Sequence, residues 1–289
     1  MVNRGIELEL NFDIVRSRNV TWTFGMNATH VRNKILYLPD VRKDFEVDGY
    51  EGFISGAYFY GEGPPMYTFL IPEYRGVSED GESQWSYKIP LYDENGEPTG
   101  KYEQGVTTNY NYATQTTSRK LKGNATPWVY GGFNTAFYAY GFDFSIAFDY
   151  QIGGQVYDSG YASYMSSPSG SSVGNNYHVD LLKAWTKGSN EDSQIPRFQY
   201  DDQYTTATSD RFLTDASYLN ISNINFGYTL PAKWWNNKIQ AIRIYVACDN
   251  VYYWSRRKGL DPRQSFSGGT TNVNYSPIRT ISGGVTLTF

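Results

Sequence analysis

The sequence predicts an all-β fold, one part of an antiparallel transmembrane β-barrel, on three observations. Apolar and polar residues alternate with period two through seven long runs, the pattern of a strand with two different faces. Most runs reach the about 9–11 residues that a tilted strand needs to cross a bilayer, beyond the about 5–6 usual in soluble sandwiches. The connections are alternately short and long, as in barrels with tight turns on one side of a membrane and loops on the other.

The first run is 5–14, where Ile6, Leu8, Leu10, Phe12 and Ile14 alternate with Glu7, Glu9, Asn11 and Asp13. In 19–30, Val20, Trp22, Phe24, Met26 and Ala28 alternate with Thr21, Thr23, Gly25, Asn27 and Thr29. The run 128–139 keeps Val129, Phe133 and Phe137 on one face. In 141–153, Phe142, Phe144, Ile146, Phe148, Tyr150 and Ile152 stand against Asp143, Ser145, Ala147, Asp149 and Gln151. The run Tyr218–Leu230 slips phase: Leu219 and Ile221 share one parity, Ile224, Phe226, Tyr228 and Leu230 the other. One extra residue near Ser222-Asn223, a β-bulge, accounts for the slip. In 239–252, Ile242, Ile244, Val246 and Cys248 oppose Arg243, Tyr245, Ala247 and Asp249. The last run sets Ile281, Val285, Leu287 and Phe289 against Thr280, Ser282, Thr286 and Thr288.

Short links join 14 to 19, 139 to 141 and 230 to 239; long ones run over 31–126, 154–215 and 253–276. The barrel pattern places the short turns in the periplasm and the long loops outside, which gives Phe289 a periplasmic position. The stretch 31–126 must then hold an even number of strands, with 58–60 and 67–71 as candidates.

Composition narrows the function. Of 289 residues, 17% are aromatic, with 27 Tyr, which favours the pleated, half-buried surface of a sheet. A net charge of −4 gives no reason to expect a nucleic-acid partner, and the lone Cys248 excludes an internal disulfide or a cysteine metal cluster. No stretch approaches the roughly 20 apolar residues of a membrane helix. The mean hydropathy of −0.54 does not imply solubility, because alternation hides a barrel from any average.

Within the loops, Asp93-Glu94-Asn95-Gly96-Glu97 lacks the full ligand spacing of a calcium loop and reads as a solvated Asn-Gly turn. The segment 177–185 has room for two helical turns. His178 and His30 are too few and too far apart for a metal site. Neither a catalytic triad nor a phosphate loop nor a dinucleotide fingerprint is present, and Glu7 with Glu9 is a solvated strand pair. The reading is therefore no enzyme, no catalytic residue, no metal and no cofactor. The aromatic loop residues Tyr157, Tyr161, Tyr164, Tyr200 and Tyr204 are the candidate substrate contacts, by stacking on sugar rings or as interfacial anchors.

Three stretches resemble the SusC-like (SusC/RagA) family of TonB-dependent outer-membrane transporters. They are 209–219, continuing through Asn223-Ile224-Asn225-Phe226-Gly227-Tyr228-Thr229-Leu230-Pro231; then Arg243-Ile244-Tyr245 with Asp249-Asn250-Val251-Tyr252 and Lys258-Gly259-Leu260-Asp261-Pro262; and the closing 277–289. The resemblance implies that 1–289 is the C-terminal part of such a barrel, about seven to nine of an expected 22 strands, with plug domain, TonB box and signal peptide absent. It further implies a bacterial outer-membrane location in contact with lipid, and import of glycan or peptide oligomers with a SusD-like surface lipoprotein. TonB would act through the missing N-terminal region. Val285, Leu287 and Phe289 would form the signal read by the barrel-assembly machinery. The rival reading is a secreted or surface β-rich carbohydrate-binding module, which requires the apolar faces to meet in a sealed interior.

Overall fold

The computed structural model describes residues 1–170, 174–235, 239–269 and 275–289. The chain opens with a long hairpin, β1 (Val2–Arg16) and β2 (Val20–Lys34). It then leaves this sheet for a long excursion. β3 (Phe45–Val47), β4 (Tyr50–Ser55), β5 (Tyr58–Gly61) and β6 (Thr68–Ile71) come first, then β7 (Tyr74–Val77), β8 (Ser83–Tyr92) and β9 (Pro98–Thr107). Helix α1 (Tyr110–Ala113) and β10 (Lys120–Asn124) end it. The chain returns as β11 (Val129–Ala139) and β12 (Phe142–Ile152), joined by Tyr140 and Gly141. Both turn residues have positive φ, the requirement of the tight hairpin turn that matches strand twist. A second excursion holds β13 (Gln155–Tyr157), α2 (Ser159–Tyr164) and β14 (Leu213–Asp215). The last wall strands are β15 (Tyr218–Leu230), β16 (Ala241–Ser255) and β17 (Thr280–Thr288). Parts of the links between β15 and β16 and between β16 and β17 lie outside the described residues.

The wall is one antiparallel sheet in the order β1-β2-β11-β12-β15-β16-β17. Its register aligns one parity of each strand into continuous rows across all seven strands. Phe12 pairs with Phe24, Phe24 with Thr135, Thr135 with Ile146, Ile146 with Ile224, Ile224 with Cys248 and Cys248 with Ile281. The neighbouring row is Trp22, Phe137, Phe144, Phe226, Val246 and Gly283. Because side chains alternate along a strand, every apolar row lies on one face and the polar rows lie on the other. That apolar face is uncovered: Phe12 is 51% exposed, Phe226 46% and Ile281 73%. The greasy sides do not meet in a sealed interior, the condition that a soluble sandwich sets. On the polar face, Asn220 donates to Asp149, Asn223 to Asp249, and Arg243 holds Asp143 and Asn225 together.

The expected bulge is present. Ile221 faces Phe148 and Asn223 faces Ala147, so Ser222 is the extra residue. On the other side two residues, Asn250 and Val251, fill the same gap, and Asn250 takes φ 50°. Ser222 donates to the Ala147 carbonyl. The bulge keeps both halves of β15 apolar on the same face. A second irregularity leaves Ile14 out of the β1–β2 ladder.

The first long connection corrects one expectation. Segments 58–60 and 67–71 do form strands, but outside the wall: β2 pairs directly with β11, so the wall has seven strands. β5 and β6 are four residues long, roughly 13 Å at about 3.3 Å per residue, too short to cross a bilayer. They belong to a separate sheet, β10-β6-β5-β4-β3, beside a second one, β7-β8-β9. Thr68 to Ile71 are all buried, so they are covered on both faces and show no alternation.

Every buried apolar side chain among the described residues belongs to the long connections. Phe59, Phe69, Leu70, Ile71 and Trp85 lie in the first, Val156, Met165 and Phe212 in the second, and Leu260 in the third. The three connections therefore pack as one body at a single end of the wall. Residues 93–97 form the expected turn, Asp93 accepting from Asn95 and Glu97, with Gly96 at φ 81°. Residues 177–185 make less helix than expected: one 3-10 segment, Val179–Lys183, with the His178 side chain accepting the Asp180 N–H.

Candidate functional site

The site begins with what ties the loop body together. Asp210, at the start of the 209–219 stretch, accepts the Tyr74 N–H at 2.7 Å and pairs with Lys122 at 2.9 Å. Lys122 also bridges to Glu73 at 2.7 Å, and Lys120 and Ser86 hold the same carboxylate. Burial alone would raise the Glu73 carboxyl. The hydrogen bonds from Lys120, Lys122 and Ser86 outweigh it and hold the group down at about 2. Phe212 is fully buried against Ala162 and Met165, and Arg211 lies over the Tyr74 ring and donates to the Thr205 carbonyl. Arg257 of the third connection pairs with Asp158 and covers the Tyr161 ring.

Where this body meets the polar face of the wall it leaves a cavity of about 670 Å³. Asn3, Asn33, Tyr130, Gln151 and Tyr218 contribute from the wall; Met66, Tyr67, Arg263 and Phe266 come from the loops. Asn33 Oδ1 accepts the Met66 N–H at 2.8 Å and fixes the loop to β2. Tyr67, at φ 57°, turns its ring against Tyr58, Tyr60 and Phe266, the last edge-on at 5.8 Å. Arg263 is clamped by Asp261 through two hydrogen bonds, 2.8 and 2.7 Å, and lies 4.9 Å over the Tyr253 ring. Asp261 is itself buried. Burial would raise its carboxyl, but the bonds and charge of Arg263 outweigh it and lower it. The cavity thus offers aromatic faces, amides and a neutralised ion pair, a surface for uncharged or amphipathic groups.

The sequence candidates fall in three places. Tyr157 and Tyr161 pack on Phe212, and Tyr161 donates to Asp180. Tyr204 meets Trp85 edge-on and lies tilted against Tyr110. Tyr164 and Tyr200 are open, 50% and 62% exposed. None of the five lines the cavity. Sequence reasoning passed over Tyr67, Arg263 and Phe266, which carry no local signal. Tyr130, Gln151 and Tyr218 were findable as polar-parity residues at the loop end of their strands. Val285 and Leu287 stand on the apolar face of β17, and Phe289 is 78% exposed at its end.

No family model matches the chain. A TonB-dependent receptor of Formosa agariphila is 26% identical over 300 residues, covering 99% of this chain and 28% of the relative. The TonB-dependent receptor SusC of Bacteroides thetaiotaomicron is 24% identical over 99% of this chain and 26% of its own length. Among solved structures, one described as the RagAB peptide transporter matches 99% of this chain and 29% of its own, with TM-score 0.76 at 21% identity. The chain thus spans under a third of the length of the relatives it matches. In sequence and in fold it corresponds to a portion of the β-barrel of a SusC-like TonB-dependent transporter.

Proposed function

We propose that this chain forms part of the wall and outer loops of a TonB-dependent transporter that imports nutrient oligomers across the bacterial outer membrane. One observation carries the reading: seven strands expose a continuous apolar face, keep a hydrogen-bonded polar face behind it, and end in two unpaired edges, β1 and β17. In lipid an unpaired edge is costly and a closed sheet has none, so the remaining strands of a barrel complete the structure. The apolar face then meets outer-membrane lipid and the polar face lines the lumen. The loop body lies outside the cell and the short turns face the periplasm.

Transport needs no catalytic residue in this chain. Substrate, a glycan or peptide oligomer, contacts the lumenal cavity around Tyr67, Tyr218 and Phe266, with exposed Tyr164 and Tyr200 further out. A SusD-like surface lipoprotein covers the loop body, TonB supplies energy through a plug domain, and β17 with Val285, Leu287 and Phe289 is read by the barrel-assembly machinery. Support comes from the likeness to the SusC receptor and to the peptide transporter. Outer-membrane fractionation and heat-modifiable migration of the full-length protein test the reading. A protein confined to the soluble fraction refutes it.

A further inference from the structure

At the loop end of the first hairpin the apolar face carries a charge pattern that packing within the chain does not explain. Arg4 lies directly opposite Arg32, and Val2 opposite Lys34. These residues share the face of Ile6, Leu8 and Phe12, since strand positions two apart point the same way. Arg4, Arg32 and Lys34 are all exposed, and none has a hydrogen-bond or ion-pair partner among the described residues. Two like charges directly opposite on a sheet are destabilising. The placement therefore asks for an anion from outside the chain.

The level of the cluster along the strands narrows the source. One row below, Ile6 faces His30. His30 touches the Trp128 carbonyl through Nδ1 and meets the Trp128 ring edge-on at 5.9 Å. Trp128 is 64% exposed; tryptophan at this position marks the boundary between hydrocarbon and headgroups. Two residues further along a strand, about 7 Å, places Arg4 and Arg32 in the headgroup layer. Beside them opens a cavity of about 550 Å³ lined by His30, Arg32, Asn124, Trp128, Gln155 and Asp215. Its one carboxylate, Asp215, already accepts the Ser217 N–H.

We propose that Arg4, Arg32 and Lys34 form a binding site for the phosphate of an anionic lipid in the leaflet on the loop side. Its acyl chains lie along Ile6, Leu8 and Trp128. The proposal rests on the reading of the apolar face as a membrane surface. It predicts a site selective for headgroup charge, where that face alone would accept any lipid.

The test uses the full-length protein purified in uncharged detergent and titrated with phosphatidylglycerol or phosphatidylcholine, with bound lipid counted by native mass spectrometry. The wild type is expected to retain phosphatidylglycerol at lower concentration. The variant R4Q/R32Q/K34Q is expected to lose that preference, roughly five-fold per cation and about a hundred-fold for all three. Inorganic phosphate, which lacks acyl chains, is expected not to displace the lipid at comparable concentration; displacement would overturn the lipid as the source. Equal retention of both lipids by the wild type, or an unchanged preference in the variant, also overturns the proposal. If removing the cations instead weakens the lipid-free protein, they pair with acidic groups on another strand and the lipid site is refuted. A wild type that is soluble without detergent overturns the underlying membrane reading as well, so the two failures are distinguishable.

Discussion

Replacing Phe226 by lysine places a charge on the apolar face and leaves the polar face untouched. Phe226 lies between Phe144 on β12 and Val246 on β16, and its ring is 6.1 Å from that of Phe142. A lysine on the lipid side of a barrel costs about 2–4 kcal/mol at the bilayer midplane and about 0–1 kcal/mol near an interface, and Phe226, opposite the third residue of β12, falls between the two. The lost ring contact adds about 0.5–1.5 kcal/mol, so roughly 2–4 kcal/mol is expected. The control is Ser145→Lys, on the opposite face of β12, where Ser145 faces Asn225 and Asp143 and Asp149 share its parity. That lysine reaches water and carboxylates, and its cost is expected within about 1 kcal/mol. Urea unfolding of the full-length protein from phosphatidylcholine vesicles, followed by heat-modifiable migration, measures both. Equal costs, or a greater cost for Ser145→Lys, would refute the assignment of faces.

Three further outcomes follow from the same geometry. Glu73 has its carboxyl lowered from 4.5 to about 2 in the folded state, so its ion pairs stabilise the loop body fully above pH 4.5. That contribution is lost as pH falls from there towards about 2. Glu73→Gln should flatten the acid rise in protease cleavage of residues 35–128, and an unchanged profile would remove Glu73 from the account. Phe212→Ala empties a fully buried site and should cost the loop body about 3–5 kcal/mol, read as faster loop proteolysis with heat-modifiable migration retained. Deleting Ser222, the extra residue, leaves Ile221 and Asn223 consecutive opposite Phe148 and Ala147 and should permit barrel assembly, whereas deleting Ser222 and Asn223 together should abolish it, because one half of β15 must then turn Asn220 or Asn225 into lipid. Ser222→Ala, which loses one hydrogen bond to Ala147, should cost only about 1 kcal/mol and assemble normally.

The wall was legible because a two-faced strand writes its geometry into every second residue. Even the Ser222 bulge could be read, since an extra residue must shift the parity of Ile224 and Phe226 against Leu219 and Ile221. The loop body was not legible, for physical reasons. Phe69, Leu70 and Ile71 are covered on both sides and leave no alternation, so their strand was assigned to the wrong sheet. The contacts that position the candidate site are non-local: Tyr74 to Asp210 spans 136 residues and Tyr58 to Ser267 spans 209. Tyrosine abundance singled out Tyr157 and Tyr161 because composition does not reveal which rings pack inward. Tyr67 reaches the cavity through a positive φ that its residue type does not announce.

The central claim is that odd and even residues of β16 face different solvents. With Cys248 replaced by serine, single cysteines at positions 242 to 247 of the full-length protein can be labelled with a fluorophore in vesicles. Quenching by lipid-attached nitroxide is then compared with quenching by aqueous iodide. Positions 242, 244 and 246 should be quenched from the lipid, and 243, 245 and 247 from water only. Iodide access to both sets without lipid quenching of either would contradict the account.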